Sequence, residues 1–200
     1  MFTSSDNCLK DLDEAGRGPL LGRVYAGAAI ITEENIDLDI INLIQDSKKL
    51  SKKKRNTVFN YLIDNIQFGI GYATEQEIDD INILNATKIA MERAINDIIK
   101  KYNINNYYLY IDGINWEKYF DNCKSIVKGD TKFKCISAAS IIAKEYHDKY
   151  IKELCENDKS LDKKYCLMNN MGYGTKKHKE GIIKYGLSIF HRKTFNKNII

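Results

Sequence analysis

Acidic side chains stand at three points of the sequence where a predicted β-strand ends, and together they could perform metal-dependent hydrolysis. These are the pair Asp13-Glu14, then Asp112, then Asp130. Ligand sites of α/β proteins gather at the ends of strands. Carboxylates that meet there repel one another, by about 4 kcal/mol for two charges about 4 Å apart at an effective dielectric constant of about 20. Protonation of one acid, or divalent cations among them, would relieve this repulsion.

The type of ligand selects the metal and its chemistry. Carboxylate oxygens favour Mg²⁺ or Mn²⁺ over Zn²⁺, and two such ions support in-line phosphoryl transfer. The residue types alone leave simpler interpretations open. Asp112-Gly113 is also a common turn sequence, and an isolated Asp-Glu pair is commonly solvated. Because successive strand residues point to opposite faces, Asp13 and Glu14 reach one site only if the strand ends or bends there.

Basic residues are concentrated in three short stretches. They are Lys48, Lys49 and Lys52 to Arg55 in the first, Lys124, Lys128, Lys132 and Lys134 in the second, and Lys176, Lys177, His178 and Lys179 in the third. Clustered lysine and arginine residues are the electrostatic signature of a site for a polyanion such as nucleic acid. One cluster alone fits a solvated surface equally well. Three clusters interleaved with the carboxylates favour a polymeric, negatively charged substrate.

The elements that must position these residues alternate between strand and helix patterns, which predicts an α/β fold. Predicted strands cover 9–12, 24–32, 68–73, 107–111 and 125–127, and predicted helices follow N-caps at Ser51, Thr74, Ser137 and Thr175. Asp158 to Lys164 has the polar composition of a turn. We therefore predict a catalytic core over residues 1–155 and a small C-terminal helical element over 156–200.

Composition excludes several classes of protein. The 200-residue chain carries a net charge of +4, with 44% hydrophobic and 29% charged residues, which indicates a folded globular protein rather than a disordered one. No apolar run reaches the ~20 residues of a membrane helix, and the first ten residues lack a signal-peptide pattern. We expect a cytoplasmic protein that does not bind membranes. Its five cysteines include no CxxC pair, which predicts reduced thiols rather than a zinc site or disulfides.

One segment is more specific than its residue types alone, because its order of residues matches a known signature. Asp13 to Pro19 reads DEAGRGP and resembles the signature of type 2 ribonuclease H (ribonuclease HII). Further blocks resemble the same family, in the same order, along almost the whole chain. They are 46–51 (DSKKLS), 77–84 (EIDDINIL), 111–113 (IDG), 127–130 (VKGD), 136–144 (ISAASIIAK), 172–175 (GYGT), His178 and 191–195 (HRKTF).

The resemblance implies a ribonuclease H core, which is a mixed five-stranded sheet flanked by helices, with a small C-terminal helical element. It implies an endoribonuclease with Mg²⁺ or Mn²⁺ in a two-metal site. Such an enzyme cuts the RNA strand of RNA/DNA hybrids and the 5′ side of single ribonucleotides embedded in duplex DNA, leaving 5′-phosphate and 3′-hydroxyl ends. A monomer is expected from the family.

The resemblance also implies roles for individual residues. Catalytic and metal-binding roles fall to Asp13, Glu14, Asp112 and Asp130. The Gly16-Arg17-Gly18 turn would recognise the ribose, because glycine allows close approach and the 2′-hydroxyl distinguishes RNA from DNA. Tyr173 would stack on the deoxyribose beyond the junction, with packing as its alternative. Lys48, Lys49, Lys144, His178 and Arg192 would lie near phosphates, with a helix-surface role open for the last three.

The sequence departs from the family at a few positions, and other functions stay open. Asp11 lies on the same strand face as Asp13 and would either add charge near the metals or turn out to solvent. His147-Asp148 replaces Arg-Asp, and Gly174 replaces a frequent proline. The alternatives are an enzyme that prefers long hybrids, a non-catalytic nucleic-acid binder, and an unrelated Mg²⁺ phosphatase. The type 3 relative is disfavoured, because its large N-terminal domain is not expected ahead of a motif that begins at Asp13.

Overall fold

The computed structural model describes residues 8–31, 38–44 and 50–199. Five strands in these ranges form one mixed sheet in the order β3-β2-β1-β4-β5. They are β1 (Cys8–Ala15), β2 (Val24–Ile30), β3 (Gln67–Ala73), β4 (Tyr107–Asp112) and β5 (Cys123–Ile126). β1, β2 and β3 are antiparallel neighbours, whereas β4 and β5 extend the sheet parallel to β1. The predicted mixed five-stranded sheet is confirmed.

Helices flank this sheet and continue into the C-terminal element. They are α1 (Leu38–Ile44), α2 (Lys52–Asn65), α3 (Glu75–Tyr102), α4 (Gly129–Lys132), α5 (Lys134–Asn157), α6 (Lys159–Tyr165), α7 (Leu167–Asn170) and α8 (Lys176–Tyr185). Ser51, Thr74 and Thr175 cap α2, α3 and α8 as predicted. In the part of the chain that the structure covers, no helix is both long and apolar enough to cross a membrane.

Two helix starts differ from the sequence prediction. α5 begins at Lys134, and Ser137 lies inside it with its hydroxyl donating to the carbonyl of Asp130. Ser137 therefore fastens α5 to α4 instead of capping a helix. Segment 159–165 is helical rather than turn-like, because the Asp158 carboxylate accepts a hydrogen bond from Ser160 N and caps α6.

The sheet is covered on both faces, which is why β2 is buried along its whole length. Val24 and Ala28 pack in the cluster that contains α3, whereas Ala29 packs in a cluster that contains α5. α5 crosses β2 at Gly27, where a Cβ atom would overlap the carbonyl oxygen of Ala139. This close approach brings α5 next to the acidic end of β1, which pairs with β2 at Asp13.

The C-terminal element shares a hydrophobic core with the second half of α5. Leu154 of α5, Leu161 of α6, Leu167 of α7 and Ile182 of α8 belong to one buried cluster, together with Leu21 from the loop after β1. The helix α5 passes the predicted boundary at residue 155 and ends at Asn157. Contacts of this element therefore reach the segment that follows β1.

Candidate active site

The carboxyl ends of β1 and β4 lie side by side and bring two acids together. In the parallel pairing Leu12 is beside Ile111, so the next residues in register are Asp13 and Asp112. Asp13 is 4% exposed and its carboxylate interacts with the Ser140 hydroxyl of α5. β1 ends three residues later than predicted and β4 ends one residue later, so both acids lie within the strands rather than beyond them.

Glu14 joins the same group from the neighbouring position. Its main-chain N–H donates to Asp13 Oδ1 at 2.7 Å, and its Oε1 accepts from Arg17 Nη1 at 3.1 Å. Its second oxygen, Oε2, is buried and has no hydrogen-bond partner among the described residues. We call Asp13, Glu14 and Asp112 the acidic centre.

Burial and like charges raise pKa values in the acidic centre. Burial has the largest effect on the pKa of Asp13, and the nearby charges of Glu14 and Asp112 raise it further, well above its usual range. Burial also raises the pKa of Glu14, although the Arg17 guanidinium opposes the shift. Each ionised acid disfavours ionisation of the next. The centre would therefore be stabilised by a cation.

The donor set of the acidic centre fits a hard divalent cation. It consists of carboxylate oxygens, one of them buried without a partner, and oxygen ligands suit Mg²⁺ and Mn²⁺. Within the described ranges no group of three or more His, Cys, Asp or Glu side chains is already arranged to hold a metal ion. Mg²⁺ commonly keeps several waters and binds through one or two carboxylates plus substrate oxygens. An open arrangement is therefore compatible with that ion.

Two further acids, Asp130 and Asp11, are also buried. Asp130 follows Gly129, whose N–H donates to Asp112 Oδ1 at 2.6 Å, and it is 3% exposed at the start of α4. Asp11 is 3% exposed, so the alternative that it turns out to solvent is wrong. Burial raises the pKa of Asp11 to about 7, partly opposed by a hydrogen bond with Cys135.

A cavity of about 400 Å³ opens beside Glu14. It is lined by Glu14, Ala15, Gly16, Arg17, Gly18, Arg55, Ser140, Lys144 and Tyr173. Glycine is required at Gly16, where φ is +88° and a Cβ atom would lie 2.5 Å from the His147 ring and 2.9 Å from the Arg23 carbonyl. The cavity therefore gathers five of the predicted substrate-binding residues next to Glu14, one of the predicted metal ligands.

Arg55 is a cavity residue that the sequence analysis placed in the first basic cluster without a role of its own. Its guanidinium turns inward and contacts Glu145 Oε1 at 2.5 Å and Asp148 Oδ2 at 3.2 Å. Hydrogen bonds from His147 and Lys144 outweigh burial and lower the pKa of Asp148 to about 2. A signal was present in the sequence: Arg55 is three residues before Val58 and seven before Leu62, on the buried stripe of α2.

Tyr173 stands at the mouth of the cavity and is 41% exposed. A Cβ atom added to Gly18 would lie 3.5 Å from the Tyr173 ring, and Lys144 Nζ lies 5.3 Å from the ring centroid. The ring of His147 meets it edge-on at 6.4 Å. Tyr173 therefore lies beside the glycine turn and keeps part of its surface open to a ligand.

His178 and Arg192 do not lie where a substrate phosphate could reach them. Both are 0% exposed, so neither the expected phosphate contact nor the helix-surface alternative agrees with their positions. Arg192 donates to main-chain carbonyls around the glycine turn. The motif matches indicated that these positions matter, but residue type does not reveal whether a cation faces the solvent or the protein.

The partners of His178 and His191 fix their protonation. Ser188 N donates to His191 Nδ1 at 2.9 Å, so His191 carries its proton on Nε2, which lies 3.1 Å from His178 Nε2. His178 Nδ1 then donates to the Tyr173 carbonyl at 2.9 Å. Burial lowers the pKa of His191 to about 4 and lowers that of His178 as well. This histidine chain, Ser188-His191-His178, ends on the backbone of Tyr173.

Most of the remaining basic residues lie on the surface. Lys52, Lys53, Lys54, Lys124, Lys128, Lys132, Lys176, Lys177 and Lys179 are exposed. Lys48 and Lys49, expected near phosphates, lie outside the described residues. The surface lysines are available to a polyanion, and none of the described ones enters the acidic centre.

Comparison with known proteins gives one consistent result. A profile of the family "Ribonuclease HII" matches residues 12–198. Ribonuclease HII of Fusobacterium nucleatum is 41% identical over 191 residues, which cover 94% of this chain and 86% of the relative. Ribonuclease HII of Pelagibacter ubique is 43% identical over 190 residues, 94% of this chain and 95% of the relative. The crystal structure of the ribonuclease H2 from Pyrococcus horikoshii superposes with a TM-score of 0.71 at 27% identity over 96% of both chains. The chain therefore belongs to the ribonuclease HII family and is an endoribonuclease.

Proposed function

We propose that this endoribonuclease uses divalent metal ions to cut the RNA strand of RNA/DNA hybrids and the 5′ side of single ribonucleotides in duplex DNA. One observation carries the proposal. The acidic centre adjoins the cavity formed by the Gly16-Arg17-Gly18 turn and Tyr173. A centre suited to phosphodiester chemistry is therefore contiguous with a surface able to inspect a sugar. The products would carry 5′-phosphate and 3′-hydroxyl ends.

Asp13, Glu14 and Asp112, with Asp130 beside them, would hold Mg²⁺ or Mn²⁺. When bound, two such ions would activate the attacking group and stabilise the leaving oxygen. The protein itself orients the ligands: Ser140 interacts with Asp13, and the Gly129 N–H holds Asp112 Oδ1. These hydrogen bonds would fix the orientation of the two carboxylates, as a precise metal site requires.

The glycine turn and Tyr173 would divide the recognition of the sugar. Gly16 lets the turn pass between the His147 ring and the Arg23 carbonyl, where no side chain fits. The exposed Arg17 and Gly18 then lie at the cavity, where their main-chain groups could bind the 2′-hydroxyl of a ribose. The exposed face of Tyr173 would stack on the next sugar, which lacks a 2′-hydroxyl at an RNA-to-DNA junction. Both groups belong to the same cavity.

Cations at the rim would bind phosphates without reading sequence. The Arg17 side chain is 44% exposed and that of Lys144 is 28% exposed. The surface lysines extend this positive region, and Lys48 and Lys49 stay proposed contacts from the resemblance. A monomeric state and a cytoplasmic location stay predictions.

The test uses three labelled duplexes: one with a single ribonucleotide in DNA, one full RNA/DNA hybrid and one of DNA alone. Each is incubated with Mg²⁺, with Mn²⁺ or with a chelator. We expect metal-dependent cutting on the 5′ side of the lone ribonucleotide and in the hybrid, and none in DNA. Cutting of the hybrid alone would overturn the junction activity, and binding without any cutting would favour a non-catalytic binder.

A further inference from the structure

One buried side chain connects the C-terminal element to the glycine turn. The Arg192 guanidinium donates from Nε to the Gly22 carbonyl at 2.7 Å, from Nη1 to the Arg17 carbonyl at 3.0 Å, and from Nη2 to the carbonyls of Gly16 at 2.6 Å and Arg23 at 3.1 Å. Its own main-chain N–H donates to the Leu20 carbonyl at 3.0 Å. All these acceptors lie in the segment that follows β1, about 170 residues earlier in the chain.

The partners of Arg192 differ from those of an ordinary buried arginine. A buried guanidinium is usually paired with a carboxylate, yet the recorded hydrogen bonds of this one go to peptide carbonyls. Its planar fork of donors suits several carbonyls held at fixed angles. The side chain therefore fixes the orientation of peptide groups rather than neutralising an acid.

The orientation of these carbonyls also fixes the direction of the N–H groups in the same peptides. A trans peptide is planar, so its carbonyl and the N–H of the following residue point in opposite directions, and the described chain contains no cis peptide. Because the carbonyls of Gly16 and Arg17 point at Arg192, the N–H groups of Arg17 and Gly18 point away from it. Both residues are exposed and line the cavity, and within the described ranges neither N–H has a protein acceptor.

We propose that Arg192 is a positioning residue for sugar recognition: it holds two carbonyls inward so that the N–H groups of Arg17 and Gly18 face the cavity as preset donors. The inference rests on the proposed function, because it takes the ribose 2′-hydroxyl as the group that these donors bind. Glycine on both sides of Arg17 leaves the free turn able to rotate its peptides. Arg192 removes that freedom, so the C-terminal element takes part in reading the sugar without touching it.

The test compares binding of two duplexes that differ by one 2′-hydroxyl. Dissociation constants are measured in a chelator for a DNA duplex with one ribonucleotide and for the same duplex in DNA alone. In Arg192→Lys, a single ammonium cannot satisfy four carbonyls, so the preference for the ribonucleotide duplex should fall by about tenfold, the worth of one well-placed hydrogen bond. Affinity for the DNA duplex should stay within about twofold, since phosphate contacts are unchanged.

A matched control is Arg93→Lys. Arg93 also donates to a main-chain carbonyl, that of Tyr72, and pairs with Glu77, but it is exposed and outside the cavity. The control should keep the wild-type preference. An Arg192→Lys protein that folds and keeps the full preference would overturn the inference alone. A wild-type protein that neither prefers nor cuts the ribonucleotide duplex would overturn the proposed function, and the inference with it.

Amide exchange in the wild-type protein decides the matter if Arg192→Lys does not fold. The amide hydrogens of Arg17 and Gly18 should exchange rapidly in the free protein. They should become protected with the ribonucleotide duplex and stay unprotected with the DNA duplex. Protection in the free protein, or equal protection by both duplexes, would show that the two N–H groups are not sugar-reading donors.

Discussion

The acidic centre and the C-terminal element both border the glycine turn, but their buried polar groups differ in how completely they are hydrogen-bonded. In the acidic centre, pKa values are raised by burial and mutual repulsion, and Glu14 Oε2 is buried without a partner. In the C-terminal element, the guanidinium of Arg192 and the rings of His178 and His191 are at least as deeply buried. Each of their nitrogens nevertheless has a hydrogen-bond partner.

This difference separates groups that act on a ligand from groups that hold the site in shape. A buried polar atom without a partner costs stability, and such local conflicts are expected where a protein functions. Paired buried groups contribute rigidity instead. Even the exception in the C-terminal element, Asn196 Oδ1, has its amide nitrogen bound to the carbonyls of Leu20 and Arg192.

The largest effect is expected when the acidic centre loses a charge. Asp112→Asn keeps an acceptor for the Gly129 N–H but removes a carboxylate, so single-turnover cleavage should fall by more than about a thousandfold. The free energy of unfolding should hold or rise, because Asp112 no longer raises the pKa of Asp13. Stopped single-turnover assays and urea denaturation measure the two quantities.

The matched control for this variant is Asp121→Asn, an exposed aspartate before β5. It should change neither cleavage nor stability appreciably. Full activity in Asp112→Asn would contradict the metal-site proposal. A large loss of stability would instead contradict the distinction between the acidic centre and the C-terminal element. It would show that Asp112 stabilises the fold, as the paired groups of the C-terminal element do.

Acid should weaken the C-terminal element through His191. The unfolded chain binds a proton on this histidine near pH 6.5, whereas the folded chain binds it only near pH 4. Between these values the unfolded state binds more protons, so the unfolding free energy falls as the pH is lowered, by about 3 kcal/mol over the whole window. The physical reason is that burial disfavours the charged imidazolium of His191, and the neighbouring His178 adds to this effect.

Urea denaturation at a series of pH values between 7 and 4 measures this effect. His191→Gln serves as the reference, because its side chain does not titrate. Its unfolding free energy should depend less steeply on pH over the same window than that of the wild type. Parallel curves for the two proteins would argue that His191 does not supply the pH dependence.

Tyr173 tests the boundary between the two regions, since its carbonyl belongs to the histidine chain and its ring to the cavity. Tyr173→Ala removes the stacking face and should reduce cleavage of the single-ribonucleotide duplex about tenfold more than cleavage of a long hybrid. Tyr173→Phe keeps the face and should retain most of the preference. Equal losses on both substrates with Tyr173→Ala would indicate that the ring only packs.

The strands and several helix starts could be predicted from short stretches of sequence, whereas the burial of individual side chains could not. Apolar β-prone runs and capping residues such as Thr74 act over a few positions, so the strands and three helix starts could be predicted. α6 was missed because its sequence is polar and only the cap at Asp158 marks its start. The burial of Asp11 was not predictable from strand alternation, since both faces of the sheet are covered.

The candidate site shows the same division. The acids could be placed because strand ends in a parallel pair must be neighbours, as Asp13 and Asp112 are. The inward direction of Arg192 could not, because its partners are main-chain carbonyls from distant residues, which leave no trace in side-chain types. His178 is held by a nearby carbonyl and by the His191 ring, and neither contact can be read from its residue type. Motif matches locate a position, and only tertiary packing decides what its side chain faces.

The smallest effect is expected at Lys144, which lies between the two regions. Its ammonium is already paired with Asp148 at 2.8 Å and lies 5.3 Å from the centroid of the Tyr173 ring. Lys144→Gln should weaken binding of ribonucleotide and DNA duplexes equally, by a few-fold, and reduce the slope of log affinity against log salt by about one or less. Lys149→Gln, at an exposed position five residues further along α5, should leave both quantities unchanged. A loss confined to the ribonucleotide duplex would instead place Lys144 among the sugar-reading groups, because a pure phosphate contact is indifferent to the 2′-hydroxyl.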